Sequence, residues 1–187
     1  MEDKLQKILN ENEKVLWSGT PEAFDTLDNT YRTPYLLKTV IAALIAIVVS
    51  VFYVNYAANN GIPVKIGVII FLAALAVMIA WPDLSDAKKL KTNVLYALTD
   101  SRMIVISGTE VAEVEYDKVD AFTFAEDADG HTSLLCGAEA MEEKPSSRRF
   151  STLKGARFND GKLSSFVMYA LPDADKVRSI VAKHIAA

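Results

Sequence analysis

The sequence predicts an α+β protein, mainly β, in which a two-helix transmembrane hairpin precedes a small barrel or sandwich of about seven strands closed by a C-terminal helix. Three observations predict it. Two long apolar runs lie between residues 36 and 81, strand-like alternation begins near residue 92, and the chain ends in an amphipathic helical pattern. We therefore divide the chain into an N-terminal segment (1–35), the hairpin (36–82) and a C-terminal domain (92–187).

The hairpin is predicted by the length and polarity of its two runs. Leu36–Tyr56 carries one charge, Lys38, near its start, and an α-helix of this length spans roughly 30 Å of hydrocarbon. Val64–Trp81 has Lys65 at its start and ends on a tryptophan, a residue that favours the headgroup layer. Neither run keeps a polar stripe, which disfavours the alternative of two buried helices in a soluble core.

The lysine and arginine residues around the hairpin predict its orientation. The turn offers only Lys65, whereas the outer ends of the two runs offer Arg32, Lys38, Lys88, Lys89 and Lys91. Positive charge near the spans favours the cytoplasmic side. We therefore expect a multi-pass protein of the cell membrane, the inner membrane in a bacterium, with both termini in the cytoplasm.

Small residues form a stripe on each predicted span. The stripe residues are Ala42, Ala46 and Ser50 on the first span and Ala73, Ala76 and Ala80 on the second. Such stripes let helix backbones approach closely in lipid. We expect the two spans to pack on each other, with dimerisation through the same stripes as the alternative.

The C-terminal domain begins with hairpin signals. Val94–Thr99 alternates, Asp100 and Ser101 offer a tight turn, and Arg102–Ser107 is a β-branched run. Glu110–Tyr116 alternates valine and alanine with glutamate, as a half-exposed strand does, and Ala121–Ala125 follows as a short strand.

Two Asp-Gly dipeptides predict further hairpins. They are residues 129–130 and 160–161, and the second joins a strand at 156–158 to one at 163–171. After Pro172 and Asp173 the chain has the start signal of a helix. The apolar positions of that helix are Val177, Ile180, Val181, His184 and Ile185.

Three segments carry a family resemblance. The segment LYALTDSRMIVISG (95–108) is similar to the opening hairpin of bacterial membrane-associated pleckstrin-homology (PH) domains, and VEYDKVDAF (114–122) resembles the family's third strand and the segment after it. NEKVLWSGTP (12–21) resembles the motif that often precedes the spans. The matching residues of the first segment are Tyr96, Leu98, Thr99, Asp100 and Arg102. The resemblance implies a PH-like fold for residues 92–187. It also implies that this domain binds a partner and does not catalyse a reaction.

The motif around Trp17 has two interpretations. In the one we favour, Val15, Leu16 and Trp17 form a short strand or plug docked on the C-terminal domain, ended by Gly19 and Pro21. In the other, Trp17 lies at the membrane interface beside the hairpin.

The residues that most often carry catalysis are few and isolated. His131, His184 and Cys136 have no partner at a catalytic spacing, and no phosphate loop, HExxH motif or paired cysteine occurs in the sequence. We therefore predict no catalytic residue, no cofactor and no metal. Asp129 and its neighbours Glu126 and Asp127 suggest a cation site, but we favour a solvated acidic turn.

The charge of the chain limits its partners. The net charge is −4 and acidic residues outnumber basic ones after Asp83, which argues against nucleic acid. The local exception, our tentative ligand-binding set, is Arg148, Arg149, Lys154 and Arg157. The alternative is that these residues offset the nearby carboxylates of Glu139, Glu142 and Glu143.

Together, the resemblance and the charge predict a membrane-anchored, non-catalytic binding or scaffolding module in the cytoplasm. Besides the lipid bilayer, its expected partner is another protein or a second copy of the chain. One alternative is a module that binds anionic lipid headgroups through the basic set. The other is an accessory subunit of a membrane enzyme or transporter.

Overall fold

The structure, a computed structural model, describes residues 1–185. Its α-helices are α1 (Glu2–Ile8), α2 (Asn29–Asn59), α3 (Ile66–Asn93), α4 (Ala138–Glu142), α5 (Arg148–Lys154) and α6 (Ala174–Ile185). Its strands are β1 (Val15–Gly19), β2 (Val94–Thr99), β3 (Arg102–Ser107), β4 (Glu110–Glu115), β5 (Phe122–Glu126), β6 (Thr132–Cys136), β7 (Arg157–Asn159) and β8 (Lys162–Met168). Short 3-10 turns lie at Tyr116–Lys118 and Pro145–Ser147.

The strands form two antiparallel four-stranded sheets, in the orders β1-β2-β3-β4 and β5-β6-β8-β7. With the two long apolar helices and the C-terminal helix, they give the predicted α+β architecture. The two-residue turn at 160–161 has the positive φ angles of a tight hairpin, 49° and 78°, and joins β7 to β8 as predicted. The other Asp-Gly pair lies in a wider loop between β5 and β6.

The first sheet contains a strand from each side of the hairpin. β1 pairs with β2, placing Trp17 opposite Leu98, and Trp17 is only 5% exposed. The docked-strand interpretation of Trp17 is thereby confirmed. Residues 1–28 and 94–185 form one folded unit, which we call the head, although the sequence pattern places 1–35 and 92–187 in separate segments.

The two long helices pack along each other and leave most of their apolar surface exposed. Both are long and apolar enough to cross a membrane, and only 6% of the most apolar window of each is buried. Phe52 and Met78, for example, are 72% and 65% exposed. This exposure contradicts buried helices in a soluble core and agrees with membrane association.

The polar stretch after Trp81 is not the connector that its composition suggests. It continues α3 as far as Asn93, and the next residue, Val94, begins β2. Ala87 and Leu90 lie three residues apart on one face of α3, and both are fully buried against the core of the head. The burial of these two side chains explains why the helix continues past Pro82.

The head has its core between the sheets and α6. Val177 and Val181 of α6 are fully buried there, as predicted, with Tyr96, Phe166 and Met168. On the other face of the first sheet, α1 covers a second apolar cluster through Leu5. Because both faces are covered, every residue of β2 is buried.

Candidate functional site

The four residues of the predicted basic set do not share one exposed surface. Arg148 and Arg149 are 5% and 3% exposed in α5, whereas Lys154 and Arg157 are exposed. Arg148, Arg149 and Lys154 belong to the short helix α5, whereas Arg157 is the first residue of β7.

Arg149 lies inside the joint between the head and α2. Its guanidinium forms an ion pair with Asp28, the N-cap of α2, and donates a hydrogen bond of 2.9 Å to the carbonyl of Thr26. The guanidinium carbon lies 3.6 Å from the ring centroid of Tyr31 and 4.2 Å from that of Phe24. The chain thus supplies Arg149 with the anion and the aromatic faces that a bound ligand would otherwise offer.

The other members of the set also have partners within the chain. Arg148 donates a 3.1 Å hydrogen bond to the carbonyl of Ala125. Arg157 lies 2.8 Å from Glu143 and 3.8 Å from Glu139, which is the charge compensation that we considered as the alternative. Lys154 is exposed, and its ammonium lies 5.1 Å from the ring of Phe150.

The acidic turn before β6 caps α2. Asp129 accepts hydrogen bonds from the backbone N–H groups of Asn29 and Thr30, at 3.1 and 2.9 Å, and from both side chains. Burial raises the pKa of Asp129, but the bonds from Thr30 and Asn29 outweigh it and hold the pKa below its usual range. The turn therefore satisfies donors that the first turn of a helix leaves free.

The same turn is also internally bonded. The Asp127 carboxylate accepts from the backbone N–H groups of Asp129 and His131, both at 3.0 Å. Within residues 1–185, no group of three or more histidine, cysteine or acidic side chains is arranged to hold a metal ion.

The resemblance motifs meet at a second joint, between the N-terminal segment and the β2–β3 turn. Arg102 donates two hydrogen bonds to the Glu13 carboxylate, at 2.9 and 2.8 Å, and a third to the carbonyl of Ile8. Burial opposes ionisation of Glu13, but hydrogen bonds, chiefly from Arg102, lower its pKa to about 2. Glu13 and Arg102 therefore link the N-terminal segment to the β2–β3 turn. The sequence does not reveal this link, because the two motifs that contain these residues are far apart along the chain.

Cys136 and His184, two residues whose side chains could act as a nucleophile or in acid–base catalysis, are packed against other parts of the head. Cys136 is fully buried, and burial raises the pKa of its thiol to about 12. The Nδ1 of His184 lies 2.8 Å from the carbonyl oxygen of Ile180, and its ring stacks on Tyr116. A buried thiol of high pKa stays protonated at neutral pH and is a poor nucleophile.

An open groove of about 460 Å³ lies beside the β7–β8 hairpin. Its lining includes Asp120, Gly137, Glu139, Asp160, Lys162 and Ser164. A Cβ atom at Gly137 would lie 2.6 Å from the carbonyl oxygen of Ser164, so only glycine allows this close approach of the two backbone segments. The groove has three carboxylates and one ammonium, and one of the carboxylates, Glu139, already lies 3.8 Å from Arg157. The remaining negative charge of Asp120 and Asp160 suits a positively charged chain segment.

No family model, curated protein or solved structure matches this chain. The resemblance to bacterial PH domains accordingly stays a prediction from the motif residues. The groove and the two joints are observed in this structure and do not depend on that resemblance.

Proposed function

We propose that this protein is a non-catalytic, membrane-anchored module of the bacterial PH-domain type, which presents a cytoplasmic head to a protein partner. The observation that carries the proposal is the rigid attachment of the head to its anchor. α3 passes into β2 with no intervening residue, and on the other side Asp28 and Asp129 cap the start of α2. A head held in this way keeps a fixed orientation, which suits assembly of a complex at a membrane.

The last turns of α3 run inside the head, because Ala87 and Leu90 are buried in its core, so the near side of the head lies at the lipid surface and its far side lies away from it. Between Trp81 and Asn93 the helix rises roughly 18 Å at about 1.5 Å per residue. The headgroup layer accounts for only part of that distance. The far end of the head is therefore available to a partner beyond the lipid surface.

The groove beside the β7–β8 hairpin is the proposed site for that partner. Asp120, Glu139 and Asp160 give it an acidic lining, so the expected ligand is a segment of a protein that carries lysine or arginine. The partner is a second protein or another copy of this chain. If it is a membrane enzyme or transporter, the module acts as its accessory subunit.

The lipid-binding alternative has less support. Two of its four basic residues, Arg148 and Arg149, are buried, and a third, Arg157, is paired with glutamates. Recognition of anionic headgroups needs basic side chains that are free to reach the bilayer surface.

Photocrosslinking in native membranes tests the proposal. A photoreactive residue is placed at Glu139 or Lys162 in the groove and, as a control, at Asp117, whose side chain is 70% exposed on the 3-10 turn after β4. We expect one discrete adduct from the groove positions only. Asp120→Lys combined with Asp160→Lys should abolish it.

Two outcomes would contradict the proposal. One is equal crosslinking from Asp117 and from the groove, and the other is an adduct that persists after the charge reversal. Co-expression of two copies with different tags separates self-association from capture of another protein.

A further inference from the structure

A second cavity, of about 180 Å³, lies where the hairpin meets the head. Its lining includes Leu27, Tyr31, Tyr35, Lys38, Asp83 and Ser146. The apolar run of α2 begins at Leu36, and that of α3 ends at Trp81. In a hairpin that spans a bilayer, this cavity therefore lies at the level of the lipid headgroups.

One cation and one anion face each other in the cavity lining. The Lys38 ammonium donates to the two carboxylate oxygens of Asp83, at 3.2 and 3.0 Å, and so links α2 to α3. The two side chains are 40% and 39% exposed. An ammonium has three donors and a carboxylate accepts about four hydrogen bonds, so both groups keep hydrogen-bonding capacity beyond their own pair.

At the headgroup level this unused capacity faces phosphate and amine groups, which can form charge-assisted hydrogen bonds with it. The cavity also presents apolar and hydroxyl-bearing side chains, Leu27, Tyr35 and Ser146, beside the charged pair. This combination matches the glycerol and phosphate region of a phospholipid.

We propose that the cavity binds the headgroup of a zwitterionic phospholipid that carries a primary amine, as in phosphatidylethanolamine. The phosphate accepts from Lys38, and the ammonium donates to Asp83. A trimethylated choline headgroup has no N–H to donate to Asp83. A glycerol headgroup offers only neutral hydroxyls, whose hydrogen bonds to a carboxylate are weaker than those of an ammonium, and its uncompensated phosphate charge is repelled by Asp83. The site requires the hairpin to be in the membrane, but it does not depend on a protein partner in the groove.

Native mass spectrometry of the full chain in detergent micelles tests the site. The purified protein is titrated with phosphatidylethanolamine, phosphatidylcholine and phosphatidylglycerol of identical acyl chains. We expect about five-fold tighter binding of phosphatidylethanolamine than of the other two, the factor that one partly exposed ion pair supplies.

Single substitutions separate the two halves of the site. Asp83→Asn keeps an oxygen acceptor but removes the negative charge that pairs with the amine. It should therefore abolish most of the preference over phosphatidylcholine while improving the binding of phosphatidylglycerol. Lys38→Gln should weaken all three lipids. Lys65→Gln, an exposed lysine at the other end of the hairpin, is the matched control and should keep the wild-type order.

The thermal midpoint of each variant shows whether the head and hairpin remain folded. A folded wild type that binds the three lipids equally, or that prefers phosphatidylglycerol, would overturn the proposal. A folded Asp83→Asn variant that keeps the full preference for phosphatidylethanolamine would overturn it as well.

Discussion

Replacing Arg149 with methionine should destabilise the head far more than the same change at Arg157, although the two belong to one basic set in the sequence. The Asp28 side chain is 5% exposed, and its carboxylate faces the Arg149 guanidinium. Arg149→Met leaves this carboxylate buried without its cation, which costs about 3–5 kcal/mol. Arg157 is 43% exposed, and the loss of its ion pairs costs about 0–1 kcal/mol.

The assay is urea unfolding of the full chain in detergent micelles, followed by the fluorescence of the buried Trp17 in a Trp81→Phe background. A pH series adds a second test. Burial raises the pKa of Asp28 above its usual range, even with Arg149 beside it. The folded state therefore binds more protons than the unfolded state, and lowering the pH should reduce the penalty of Arg149→Met as Asp28 becomes neutral. Equal losses of stability in Arg149→Met and Arg157→Met would refute the burial of Arg149 in this joint.

Three further predictions concern the head. Because the pKa of Glu13 is about 2 in the folded state and 4.5 in its reference state, its ionised form stabilises the head above pH 4.5, and this contribution is lost as the pH falls toward 2. Glu13→Gln should remove about 3 kcal/mol at pH 7 and flatten the acid limb of a stability curve, and an unchanged limb would contradict the Arg102 contact. Cys136 should resist maleimide at pH 7.5 until the head is unfolded, and rapid labelling of the native protein would contradict its burial. A protein in which a Gly/Ser linker joins 1–35 to 86–187 should fold without lipid, because it keeps Tyr31 and both sheets. Lys38 and Asp83 lie 3.0 Å apart, so a short linker can join α2 to α3 near this point. Residues 91–187 alone lack β1 and should aggregate or unfold more readily, and equal stability of the two proteins by circular dichroism would count against the shared sheet.

The elements that the sequence predicts well are those with local signals. The apolar runs, the β2–β3 turn, the Asp-Gly turn before β8 and the α6 spacing each depend on neighbouring residues. Hydrophobic periodicity and turn chemistry act over these short distances, so they are readable before the chain is folded.

The rest depends on contacts between distant parts of the chain. β1 and β2 are separated in sequence by the whole hairpin, so no local pattern reveals their pairing. The continuation of α3 depends on two buried side chains, Ala87 and Leu90, within a polar stretch. A basic residue in a charged segment is normally solvated. Most of the groups that bury Arg149 lie more than a hundred residues away in the sequence, namely Phe24, Asp28 and Tyr31.

The measurement that tests the central claim most directly is cysteine accessibility across the membrane of intact cells. Cys136 cannot report topology, because its thiol is buried in the folded head. Cysteines are therefore introduced separately at Asn60, in the hairpin turn, and at Asp117, on the exposed surface of the head. A membrane-impermeant maleimide should label Asn60→Cys in intact cells and Asp117→Cys only after lysis. Labelling of Asp117→Cys in intact cells, with Asn60→Cys protected, would contradict an anchored head on the cytoplasmic side.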